Sequence, residues 1–195
     1  MSHNQKLNKN SVWVKEWIKF YKEIFGLAIN VSNIFIPPKI KGFNRPMIIA
    51  REIGDSPLEM TMVTCQRLFS YISYIGDNPD ELISVTNRNP RYKGSYAIRV
   101  RDGIEADEEN KNLSADDIRS QSMITMTLLE RIILELFYFW KTGQHLDNQH
   151  WTLCSGPRNK AGQIPCCYWY KNIFWIFWYN SANAIGDFRA RSVIV

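Results

Sequence analysis

The chain has 195 residues, a hydrophobic share of 45% and a charged share of 22%, the composition of an ordinary soluble globular protein with enough length to bury a core. A net charge of +5 without a clustered basic stripe argues only weakly for nucleic acid, and no apolar run approaches the ~20 residues that span a bilayer. The aromatic share of 13%, with seven Trp, is the unusual feature and directs attention to where the rings fall.

Met1 to Asn10 is polar and lacks a signal-peptide hydrophobic region, which gives a cytoplasmic expectation. A helix is predicted next. Ser11 is placed to cap it, Val14, Trp17, Ile18, Tyr21, Ile24 and Phe25 recur at 3–4 spacing, and Gly26 stops it. Asn30 to Ile36 alternates like a strand, Lys39 to Arg45 is a basic loop, and Met47 to Ala50 is a short apolar strand. Ser56-Pro57-Leu58-Glu59 combines a cap, an N1 proline and a capping-box glutamate. The helix it starts is predicted to run to about Tyr74, burying Met62, Cys65, Leu68, Phe69 and Ile72. Gly76 to Arg91, with Asn78-Pro79 and Asn89-Pro90, reads as connecting structure. It divides the chain into an accessory α/β domain (1–90) and a second domain (91–195).

Ser95 to Arg101 alternates as a strand. The acidic segment Asp102 to Asp117 lacks EF-hand spacing and reads as a solvated face or helix start rather than a calcium loop. Ser114 caps a short helix over Ala115 to Gln121. Thr127 and Glu130 form a capping box on the strongest helix, whose apolar face includes Leu129, Ile132, Ile133 and Leu136 and which ends at Gly143. Trp151 to Cys154 is a short strand, Ser155 to Gly162 a polar turn, and Phe188 to Val195 a closing strand.

Ile164 to Tyr170 and Ile173 to Tyr179 read as a hairpin joined by Lys171-Asn172. Alternation puts Cys167, Trp169, Phe174, Ile176 and Trp178 on one face, and Cys166, Tyr168, Tyr170, Trp175, Phe177 and Tyr179 on the other. Both faces are apolar or aromatic. The second either packs beneath the N-terminal region or forms a binding surface, and its Tyr/Trp content suits binding better than the Val/Ile/Leu of a doubly buried strand. Asn180 to Asp187 is small and polar, as adaptable loop contacts are.

Several chemical signals are weak. Cys65, Cys154, Cys166 and Cys167 have no disulfide-framework or zinc spacing. His145, Asp147 and His150 follow a helix stop in a polar connector with no further ligand set. Cys154 lacks an oxyanion device or an orienting group for nucleophilic work. No catalytic residue, metal or cofactor is expected. Lys15, Lys19 and Lys22 lie on one side of the first helix, opposite its apolar stripe, as a solvated face does; with Lys39, Lys41 and Arg45 they are also the basis of the alternative reading, a nucleic-acid-associated protein of a mobile element.

The segments Tyr96 to Ala115 (YAIRVRDGIEADEENKNLSA), Thr127 to Asp147 (TLLERIILELFYFWKTGQHLD) and Trp151 to Pro165 (WTLCSGPRNKAGQIP), followed by Trp169, Trp178 and the closing Phe188 to Val193 (FRARSV), carry a resemblance. Across roughly the C-terminal half the chain resembles a family of uncharacterised bacterial proteins associated with diversity-generating retroelements. In such systems a reverse transcriptase copies a template repeat with errors at adenines, and the copy replaces the 3′ end of the gene for a variable target protein.

The resemblance implies an α+β chain with a C-type-lectin-like C-terminal domain and a hypervariable, non-catalytic ligand-binding surface. Its partner would be a protein or other macromolecule. Scaffold positions would be Pro165, Trp169, Trp178, Phe188, Arg189 and Arg191. Diversified positions would be Cys166, Tyr168, Tyr170, Trp175, Phe177, Tyr179, Asn180, Ala182, Asn183, Ile185 and Asp187. Asn, Tyr, Phe, Ile, Cys, Ala and Asp are reachable from an asparagine codon by changing adenines, whereas Trp175 requires a different template codon.

Overall fold

The computed structural model describes residues 5–6, 11–82, 88–154, 156 and 158–195 and is α+β. Strand β1 (Gln5–Lys6) pairs antiparallel with β2 (Phe35–Ile36). Between them α1 (Val12–Phe20) widens into a π-helical turn at Tyr21–Phe25 and stops at Gly26, whose φ of 72° is the left-handed cap conformation. Its apolar face is anchored by polar tips. Trp17 Nε1 donates to Pro46 O at 3.1 Å, and the buried Tyr21 hydroxyl donates to Ile48 O at 2.8 Å while accepting from Ala50 N–H at 3.2 Å.

The strand predicted over Asn30 to Ile36 is confined to its last two residues. Asn30 Oδ1 accepts from Ser32 N–H at 3.0 Å, so asparagine turn chemistry overrides the alternation that precedes β2. Strand β3 (Arg45–Ile49) then pairs antiparallel with β5 (Tyr96–Val100), Met47 opposite Ile98.

Helix α2 (Pro57–Leu68) begins where predicted but ends six residues early. Phe69 leaves the helix with extended angles, and Tyr71–Ser73 becomes β4, parallel to the eighth strand. Pairing with that strand outweighs the helical spacing of Phe69 and Ile72. The N-terminus also differs from expectation. Ser56 makes no side-chain cap; Asp80, in the short helix α3 (Pro79–Leu82), accepts from Leu58 N–H at 3.1 Å and Glu59 N–H at 2.9 Å instead. The expected connector follows through α4 (Pro90–Lys93), with residues 83–87 outside the described set.

In the second half both helix starts follow their sequence signals. Ser114 and Asp117 box the start of α5 (Ala115–Ser120), and Thr127 and Glu130 that of α6 (Leu128–Thr142), which ends at left-handed Gly143. Strands β6 (Trp151–Leu153), β7 (Ile164–Tyr170), β8 (Ile173–Tyr179) and β9 (Phe188–Arg189) complete the main sheet in the order β4-β8-β7-β6-β9. The chain end pairs back on β5, with Arg99 and Ile194 exchanging backbone bonds of 2.9 and 3.0 Å.

One apolar core joins the two halves of the sequence: Trp17 stacks on Phe137 at 4.0 Å, and Cys65, Ile98, Ile132 and Phe174 are buried together. A smaller cluster lies on the other side of the sheet, where Ala115 and Ile118 of α5 meet Leu153, Ile164, Cys166 and Phe188. Among the described residues no helix is long and apolar enough to cross a membrane.

Candidate functional site: the aromatic face of the hairpin

The β7–β8 hairpin has the strands and turn expected of it. Lys171 and Asn172 both take positive φ (51° and 60°), the two-residue turn whose twist suits a hairpin. Register puts Cys167 opposite Ile176 and Trp169 opposite Phe174, so the first face forms a continuous strip of the main core. Trp169 is 5% exposed and stacks on His145 at 3.4 Å, and the half-buried Trp178 donates through Nε1 to Ile75 O at 3.3 Å. The remaining expected scaffold residues are also buried: Pro165, Phe188, Arg189 and Arg191.

The second face is covered at one end and open at the other. Cys166, expected among the displayed residues, is fully buried against α5, where the second cluster takes its side chain out of solvent reach. Phe177 and Tyr179 are half-buried; the Tyr179 ring meets Phe188 edge-on at 4.5 Å. Toward the turn the cover ends. Tyr168 and Trp175 are half-buried and Tyr170 is 50% exposed.

These rings belong to a row of nearly parallel aromatics running across the sheet. Trp151 stacks on Tyr168 at 4.4 Å, Tyr168 on Trp175 at 6.4 Å, and Trp175 on Tyr74 at 6.1 Å. Trp151 and the 64%-exposed Tyr74 were not expected in the site. Each lies far from the hairpin in sequence, and only the strand order brings it alongside. Trp175 Nε1 is covered and meets no acceptor among the described residues, an unusual state for an indole donor.

Asn180, Ala182, Asn183, Ile185 and Asp187 are all exposed, and their loop continues the open face. Its backbone is tied down: Asp116 N–H donates to Ser181 O at 3.0 Å, Asn183 N–H to Asn180 O at 3.2 Å and Trp151 N–H to Asp187 O at 2.9 Å. The loop therefore presents side chains from a fixed backbone.

The polar groups behind the hairpin form a buried charge network. Arg131 Nε meets Asp147 Oδ2 at 2.8 Å, Arg131 Nη1 meets Glu135 at 2.8 Å, and Arg191 Nη2 meets Asp147 Oδ1 at 2.6 Å. Burial pushes the Asp147 carboxyl up, but the Arg191 and Arg131 guanidiniums outweigh it and hold the group below the usual aspartate value. His145 bonds Glu135 Oε1 at 2.9 Å between the rings of Phe139 and Trp169, while His150 bonds Glu105 at 3.2 Å.

The three neighbours His145, Asp147 and His150 thus have separate partners. A sequence signal for the network did exist: Arg131 and Glu135 stand at i,i+4 in a helix otherwise apolar nearly all round.

The acidic segment, expected as a solvated face or helix start, has Glu108 and Glu109 exposed and Asp116 and Asp117 at the start of α5, but Asp107 departs from that reading. It is buried and accepts from Ser192 N–H at 2.7 Å, and nearby Asn110 donates to Ala190 O at 2.9 Å, so this stretch clasps the segment after β9. There the strand expected over Phe188 to Val195 is confined to Phe188–Arg189 and two isolated bridges. Burial raises the Cys154 thiol well above its usual value, and its Sγ lies 3.8 Å from Cys167 Sγ. Among the described residues no group of three or more His, Cys, Asp or Glu side chains is placed to hold a metal ion. Comparison with family models, curated proteins and solved structures finds no match to this chain.

Proposed function

We propose that this chain is a non-catalytic ligand-binding protein, the variable target of a diversity-generating retroelement, with a C-type-lectin-like C-terminal half displaying a diversified aromatic surface. The observation that carries the reading is a division within one hairpin. Its expected scaffold residues Pro165 and Trp169 are buried and Trp178 is half-buried, while on the other face Tyr168 and Trp175 are half-buried, Tyr170 is 50% exposed, and the largely exposed loop Asn180 to Asp187 follows. Tyr and Trp supply large contact area at low entropic cost, and a loop with an anchored backbone loses little freedom on binding.

The order β5, α5, α6, then strands and hairpin, with the chain end returning to β5 at Ile194, supports the lectin-like reading. The ligand is a protein or another macromolecule large enough to cover several rings. Cys166 contributes to the surface only by shaping what lies above it, since its own side chain is enclosed.

On the first helix, the basis of the nucleic-acid alternative, Lys19 lies 3.8 Å from Glu23, while Lys15 and Lys22 are exposed. Sequencing the gene and its flanks tests the proposal. An imperfect repeat of the region encoding Pro165 to Arg191, differing opposite template adenines and lying beside a reverse-transcriptase gene, is the expected finding. Complete flanks without such a repeat would overturn it.

A further inference from the structure

The main sheet has two unlike edges. At β9 the edge is covered: Asp107 N–H and Asn110 Nδ2 both donate to Ala190 O, at 3.3 and 2.9 Å, and Arg189 is paired with Glu108. Among the described residues β4 forms the other edge. Tyr74 N–H donates to Ile176 O at 2.8 Å and Phe174 N–H to Ser70 O at 2.9 Å, which sets the phase of this parallel ladder. Alternate residues of a strand turn their N–H and C=O to the same side, so Ile72 bonds β8 and the groups of Tyr71 and Ser73 point outward.

Beside those groups lies a cleft of about 410 Å³ between α2 and β4, lined in part by Tyr71, Ser73, Glu59, Val63, Gln66 and Asp77. Glu59 and Asp77 are exposed carboxylates, and among the described residues the lining includes no Lys or Arg. On the opposite face of β4, Ile72 lies opposite Trp175 and the Tyr74 ring stacks on it.

We propose that the outer edge of β4 takes an extended basic peptide as an added strand. Its main chain bonds Tyr71 and Ser73. An Arg or Lys side chain enters the carboxylate-lined cleft, and the alternate side chains, apolar or aromatic, lie beside Ile72 and Tyr74. Main-chain bonding gives such a site affinity, and the cleft selects the basic side chain. Neither the edge nor the carboxylates belong to the expected variable residues, so the site stands or fails separately from the retroelement reading.

The probe is a fluorescein-labelled peptide of alternating Thr and Val with one central Arg, titrated into the full chain at low salt. One companion peptide carries Glu in place of Arg, and another has N-methylated amides on its strand-bonding edge. The expected result is binding of the Arg peptide alone, weakened about tenfold by Glu59→Lys/Asp77→Lys in a protein of unchanged circular dichroism. Asp77→Lys alone, at an exposed position, gives a smaller loss and guards against misfolding of the double variant.

Amide exchange is the sharper readout. Tyr71 and Ser73 should slow on binding, whereas Ile72, already bonded to β8, should not change. Absence of binding at millimolar peptide, equal binding of either companion, or unchanged exchange at Tyr71 and Ser73 would each overturn the proposal.

Discussion

The two faces of the β7–β8 hairpin are drawn from the same apolar and aromatic residues, seven positions per strand, and end in different surroundings. On one face, helices α2 and α6 and the Phe69 ring close over Cys167, Trp169, Phe174 and Ile176. On the other, α5 reaches only the Ile164–Tyr179 end, and the turn end remains open. A strand pair with two apolar faces therefore need not be doubly buried. What separates core from surface here is the reach of a six-residue helix, a property of tertiary placement rather than of the hairpin's own alternation.

That difference can be broken from the buried side first. Asp147→Ala strips the Arg191 guanidinium of its carboxylate and leaves Arg131 with Glu135 alone beneath the first face, so urea unfolding should register a loss of about 4 kcal/mol or failure to fold. Trp169→Ala removes a 5%-exposed ring and should cost about 4 kcal/mol in the same assay.

Acid provides a milder probe of the network. The folded-state value of Asp147 is depressed, so its contribution is fully present above the ordinary aspartate value of about 4. The contribution is lost as pH falls through the lower folded-state value. Asp147→Asn should therefore flatten the decline of the unfolding midpoint below about pH 4, and an unchanged decline would remove Asp147 from the account.

Across the half-covered zone Phe177→Ala should cost about 2 kcal/mol, because the ring touches Trp151 and Tyr168 yet keeps some exposure. At the open end Tyr170→Ser should stay within about 0.5 kcal/mol of the parent.

Much of this was legible in sequence. The hairpin, its turn and the Thr127–Glu130 box depend on residues within a few positions of one another, where alternation and capping chemistry act directly. What escaped depends on distant partners. Tyr71–Ser73 is a strand only because Phe174 to Ile176 lies beside it, and Ser56 is relieved of capping by Asp80.

The site shows the same split. Tyr168, Tyr170 and Trp175 follow from alternation, but the burial of Cys166 depends on Ala115 and Ile118, and the arrival of Tyr74 and Trp151 depends on the strand order.

Equilibrium urea unfolding of Tyr168→Ser/Tyr170→Ser, set against Trp169→Ala, asks most directly whether the open face serves binding rather than folding. The double variant is expected to fold with a loss below about 2 kcal/mol, well short of the single core tryptophan. A loss equal to that of Trp169→Ala, or an unfolded double variant, would make the second face core and contradict the display reading.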